Sequence, residues 1–95
     1  MSVYVFVQHS VEDFDKWKAV FEEHGENRRK NGATGHRLYR SVDDSSQQVI
    51  VNEFADLDGA RAFLADPSLQ EAMSRAGVTS APNIWVTEEV ESERY

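Results

Sequence analysis

The side chains best suited to moving protons in this chain are its three histidines, His9, His24 and His36. Histidine titrates near neutral pH, so it can act as a general base or acid. His24 follows Phe14, Trp17 and Phe21 at spacings of three and four, which puts it on an apolar helical stripe. His36 alternates with Leu38 and shares that residue's face of a strand. His9 ends an apolar run, a position that suits a pocket mouth. Arg28, one helical turn beyond His24, can orient an anionic or enolate oxygen; it can equally serve as a cation at a helix C-terminus. Asn52 ends the apolar run Val49-Ile50-Val51, and a buried amide there is either a pocket group or a structural bridge. Trp17 and Trp85 can wall an aromatic-binding pocket, and Tyr39 can donate a hydrogen bond, although all three also make good packing residues. The catalytic candidates are therefore His24, Asn52, His36 and Arg28. The substrate-binding candidates are Trp17, Trp85, Tyr39 and His9.

Other chemistries lack a signature. The histidines have no ligand-like spacing and the chain has no cysteine, so no metal site is expected. Phosphate loop, dinucleotide fingerprint and nucleophile elbow are all missing, and no cofactor is expected. The net charge of −7 repels a phosphate backbone and argues against nucleic acid. The longest apolar run, Val3 to Val7, is far short of the roughly 20 residues of a membrane span. Without a signal-peptide pattern or disulfides, the chain is expected in the cytoplasm.

These groups must be positioned by one small domain, residues 1–95. Val3–Gln8 is apolar throughout and reads as a central strand. Ser10 reads as the cap of a single helix of about 20 residues closed by Gly32. Thr34 to Val42 and Gln48 to Phe54 read as a hairpin about a turn at Asp43–Ser46. Asp56 caps a second helix carrying Leu57, Ala60, Phe63 and Leu64 inward. Ser68 with Glu71 reads as a capping box for a short helix ended by Gly77. A last strand runs from Ile84 to about Val90. The order is βαββαβ, an α+β ferredoxin-like arrangement with a four-stranded antiparallel sheet and its helices on one face.

That arrangement leaves one face uncovered. The strands alternate apolar residues to both sides: Val3, Val5 and Val7 against Tyr4 and Phe6, and Ile84 and Val86 against Trp85. Helices cover one side, and the other would expose several hundred Å² of apolar surface. A second copy packed sheet to sheet is the economical cover, so a homodimer is expected.

The segments Asp13-Phe14-Asp15-Lys16-Trp17-Lys18, Phe21-Glu22-Glu23-His24, Arg28-Arg29-Lys30-Asn31-Gly32 and Thr34-Gly35-His36-Arg37 resemble the dimeric α+β barrel superfamily. Asp56 to Leu64, followed by Ala76-Gly77-Val78, fits the same pattern. The similarity is greatest to antibiotic-biosynthesis-monooxygenase-like and cyclase-like small proteins, and it covers nearly the whole chain. It implies a dimeric barrel and a pocket between sheet and helices, where monooxygenase relatives oxidise aromatic polyketides without metal or flavin. Two functions follow as expectations. One is a small enzyme, monooxygenase-like or cyclase-like, acting on a hydrophobic or aromatic substrate. The other is a non-enzymatic dimeric module that binds a small ligand or serves a structural role.

Overall fold

Eight elements make up the computed structural model, which describes residues 2–95. They are β1 (Val3–Ser10), α1 (Phe14–Glu23), α2 (Gly25–Lys30), β2 (Ala33–Arg40), β3 (Gln47–Phe54), α3 (Leu57–Ala65), α4 (Pro67–Arg75) and β4 (Asn83–Glu88). The strands form one antiparallel sheet in the order β2-β3-β1-β4. As its β-branched, aromatic run foretells, β1 is central. The βαββαβ plan holds, with each α stage broken into two helices.

Register decides which side chains meet the helices. Val5 lies opposite Asn52 and Val86, Val7 opposite Ile50 and Ile84, and His9 opposite Gln48. Residues paired across strands share a face. Val3, Val5, Val7, Ile50 and Phe54 therefore point under the helices, where they are buried with Trp17 and Phe63. On β2, His36, Leu38 and Arg40 stand opposite Asn52, Ile50 and Gln48 and so share that side. Tyr4, Phe6, Arg37, Tyr39, Val51 and Trp85 face the other way. The helices stop short of the β4 edge: Ile84 and Val86 face their side of the sheet yet stay 40% and 44% exposed.

The first helix is not the continuous rod expected. Ser10 caps nothing. Its hydroxyl accepts from Gln47 Nε2 at 2.6 Å and its backbone N–H donates to Ser80 Oγ at 2.9 Å, which fixes it as the last residue of β1. The cap is Asp13, whose carboxylate accepts from the N–H groups of Asp15 and Lys16. The helix then breaks at His24, where φ is −81° and ψ is 0°, just before Gly25, a poor helix former. Likewise α4 is capped by Asp66, which accepts from Ser68 N at 2.9 Å with Pro67 in the first turn, so Ser68 is not the cap. Two strands end two residues earlier than predicted, β2 at Arg40 and β4 at Glu88. Gly32 and Gly77 do close helices in the left-handed region, at φ +93° and +80°.

Gly59, inside α3, allows a close backbone approach in the helix layer. A Cβ there would collide with the carbonyl oxygen of Asn31. Its absence lets α3 dock on the loop that closes α2. No helix among the described residues is long and apolar enough to cross a membrane.

Candidate functional site

A cavity of about 60 Å³ lies between the sheet and the helices. Val7 and Ile50 form its apolar floor, Trp17, Phe21 and Phe63 its walls, and Leu69 and Met73 of α4 a further side. Its polar lining consists of His9, His24, Arg28 and Asn52.

The break between α1 and α2 sets the upper polar groups. His24 occupies it, with Nε2 3.0 Å from Ser68 Oγ. Asp66 caps α4 through the Ser68 N–H and also draws on the Ser68 hydroxyl, so Ser68 links that carboxylate to His24. Burial first, then the neighbouring Arg28 charge, holds the His24 imidazole below its usual pKa, against an opposing pull from Asp66. It is neutral at pH 7 and can accept a proton.

Arg28 is 6% exposed, and its guanidinium Cζ lies 3.6 Å from the centroid of the Phe21 ring. Phe21 in turn stacks on Trp17 at 4.8 Å. Burial, with a smaller contribution from Arg29, pushes Arg28 down to about 10, so it remains charged at pH 7. The ion pairs among the described residues, Lys18–Glu22, Arg29–Glu26 and Arg75–Glu23, leave Arg28 out. A buried cation held over an aromatic face, without a carboxylate, is open to an incoming anion.

Asn52 is 3% exposed and its Oδ1 has no hydrogen-bond partner in the protein. Of the two readings open in the sequence, structural bridge or pocket group, the bridge lacks its second bank. A buried amide oxygen left in this way carries a desolvation cost that a ligand donor would relieve.

His9 reaches the cavity from its floor. It is 2% exposed, so it sits deep inside and not at a mouth as its strand-end position suggested. Its ring meets Trp17 edge-on at 5.9 Å. Burial pushes its pKa down to about 4.

The structure thus brings together His24, Arg28, Asn52, Trp17 and His9. It does not bring in the other three candidates. His36 is exposed on edge strand β2, outside the cavity, its ring perpendicular to that of Phe21 with centroids 4.9 Å apart. Trp85 and Tyr39 are 53% and 52% exposed and belong to the opposite sheet face. The reason is register: Trp85 stands opposite Phe6 and Tyr39 opposite Val49, both on the side away from the helices. Phe21, Gln48 and Ser68 were missed. Phe21 stood in plain view on the His24 stripe. Gln48 carries no signal until the hairpin register sets it opposite His9, and Ser68 was hidden by its cap-like context. Among the described residues no three His, Asp or Glu side chains converge as a metal site would require.

No protein-family model matches the chain, and no curated protein does. Solved structures do. SnoaB, a cofactor-independent oxygenase from Streptomyces nogalater, superposes with a TM-score of 0.72 at 21% identity, over 97% of this chain and 98% of its own. Rv0793 from Mycobacterium tuberculosis gives 0.71 at 14% identity, over 99% and 100%. An antibiotic biosynthesis monooxygenase gives 0.67 at 15% identity, over 94% and 99%. At these identities the likeness establishes the fold: the chain has the α+β architecture of antibiotic-biosynthesis-monooxygenase-like proteins, end to end.

Proposed function

We propose that this chain is a cofactor-independent oxygenase that acts on a small hydrophobic aromatic substrate bound between sheet and helices. The observation that carries the reading is Arg28: a protonated, buried guanidinium with no carboxylate partner, lining the same apolar cavity as the unpartnered Asn52 oxygen. A substrate with an acidic phenol or enol supplies what both lack. Its anionic oxygen pairs with Arg28, and a neighbouring hydroxyl donates to Asn52. Neutral His24 takes the proton, and the apolar walls keep water from competing for the enolate. The electron-rich carbon then reacts with dioxygen. One ring methylene and one O2 give one ring carbonyl and one water: both methylene C–H bonds and the O–O bond break, and the carbon is oxidised as dioxygen is reduced. Similarity to SnoaB in fold supports this choice without fixing the substrate.

A cyclase would begin from the same enolate and attack an internal carbonyl, consuming no oxygen. An oxygen electrode with a tricyclic phenolic ketone such as an anthrone separates the two. The expected result is one O2 taken up per quinone formed, and loss of uptake in Arg28→Met. Quinone formation no faster than in buffer, across a panel of such ketones, would sink the oxygenase reading. Tight binding without turnover would point to the ligand-binding module.

The proposal includes a homodimer through the open sheet face. Phe6, Tyr39 and Trp85 lie together there, 36%, 52% and 53% exposed, over the buried Val51. An isologous sheet-to-sheet contact covers them with a copy of the same surface. Sedimentation equilibrium tests it: a stable dimer is expected, and a folded monomer at micromolar concentration would refute it.

A further inference from the structure

The Arg28–Asn52 chemistry leaves the opposite end of the cavity floor unused. There, His9 lines the floor, and Gln48 faces it across β1 and β3 from behind the lining, four residues along the sheet from the Val5–Asn52 pair. Gln48 Nε2 lies 2.9 Å from His9 Nε2, which accepts its hydrogen. Both side chains are almost fully buried, and His9 Nδ1 and Gln48 Oε1 have no partner in the protein. Turning the amide over would still leave Nδ1 alone. Packing alone does not call for this pair, because a buried polar pair of this kind can be replaced by apolar groups of similar shape at little cost. Burial lowers the His9 pKa to about 4, so at neutral pH it is a neutral hydrogen-bonding group and not a charge.

The two polar rows bracket an apolar middle, Val7 and Ile50. Four residues at about 3.3 Å each separate them by about 13 Å. A hydrogen bond of about 3 Å at each end leaves about 7 Å between the ligand oxygens. That is the span of two fused six-membered rings substituted at both ends.

We infer that His9, held by Gln48, forms a second subsite, one that takes a neutral oxygen function of the ligand about 7 Å from the oxygen at Asn52. The inference rests on the reading of Arg28 and Asn52 as the place of the acidic oxygen. The cavity volume is under half of the ~150 Å³ that takes a benzene. Entry must therefore shift side chains, and half-buried Leu69 and Met73 on α4 are placed to yield.

Calorimetry under nitrogen with 2,6-dihydroxynaphthalene and 2-naphthol tests the subsite without turnover. The diol is expected to bind wild type at least tenfold more tightly. Replacing His9→Phe together with Gln48→Leu removes both polar partners at once, which spares the fold an orphan. In that variant the diol should fall to within twofold of 2-naphthol, whose own affinity stays put. Equal affinities in wild type, binding of neither compound below 1 mM, or a diol advantage that survives in the variant each overturn the inference. Histidine 15N resonances of wild type give a check that needs no variant: the diol should move His9 Nδ1 and 2-naphthol should not, and an unmoved resonance refutes the subsite. A diol advantage with no oxygen uptake would sink only the oxygenase reading, and uptake with equal binding only the subsite.

Discussion

Arg28 sits over Phe21 at 3.6 Å, and that ring stacks on Trp17, so a guanidinium and two aromatic faces form one continuous wall of the cavity. A cation buried without a counter-charge costs stability. Arg28→Met keeps the length and the contact with Phe21 while deleting the charge. The melting temperature should stay level or rise by a few degrees. Oxygen uptake should drop by about 100-fold or more, the scale expected when a donor to a developing oxyanion is lost. Thermal melts and oxygen-electrode rates on the same preparation check both halves. A variant that is less stable but equally active would show Arg28 to be structural.

His9 makes stability depend on pH in a defined window. Its pKa falls from 6.5 unfolded to about 4 folded, because burial disfavours the charged imidazole. The unfolded chain therefore binds more protons between these values, and stability falls as pH drops through that range. Above pH 6.5 nothing is lost; near pH 4 the loss from this residue reaches about 3 kcal/mol. Urea unfolding of wild type and the His9→Phe, Gln48→Leu pair at pH 7 and pH 4.5 isolates the contribution, since the carboxylates titrate in both. The paired variant should lose clearly less stability over the interval; equal losses would show that His9 is not desolvated in solution.

Most of the fold was legible because its signals are local. The β-branched run of β1, the positive-φ glycines Gly32 and Gly77, and the cap at Asp56 are read within a few residues. The site was legible where helical periodicity carried it: Trp17, His24 and Arg28 fall on one stripe, and all reach the cavity. What failed depends on pairing between distant segments. The side of the sheet on which Trp85 and Tyr39 fall follows from their registers with β1 and β3. Ser10 has two competing uses, and the Gln47 and Ser80 side chains that decide between them lie 37 and 70 residues away. The Gly59 contact with Asn31 is likewise invisible until α3 docks.

Trp85 and Tyr39, exposed on the sheet face away from the helices, give a test of the open face. Trp85→Glu places a charge within the proposed sheet-to-sheet contact, where its desolvation has no counterpart. The variant should sediment as a monomer at concentrations where wild type is a dimer. Unchanged dimerisation would locate the interface elsewhere.

His24 offers the sharpest pH signature of the proposed chemistry. Burial and then Arg28 lower its pKa, while Asp66 raises it. As the proton acceptor it must be neutral, so kcat/KM should be level at pH 7 and decline on an acid limb below 6.5. Removing each charge should move that limb in opposite directions. Arg28→Met deletes a lowering influence and should carry it to higher pH, even as the rate falls. Asp66→Asn deletes the raising influence and should carry it lower, while the amide oxygen can still cap α4. His24→Ala should abolish the limb. Rate profiles of the free enzyme from pH 4.5 to 8 at low substrate read all three. If the limb stays in place in both charge variants, its proton belongs to another group, and His24 is only the bolt between α1 and Ser68.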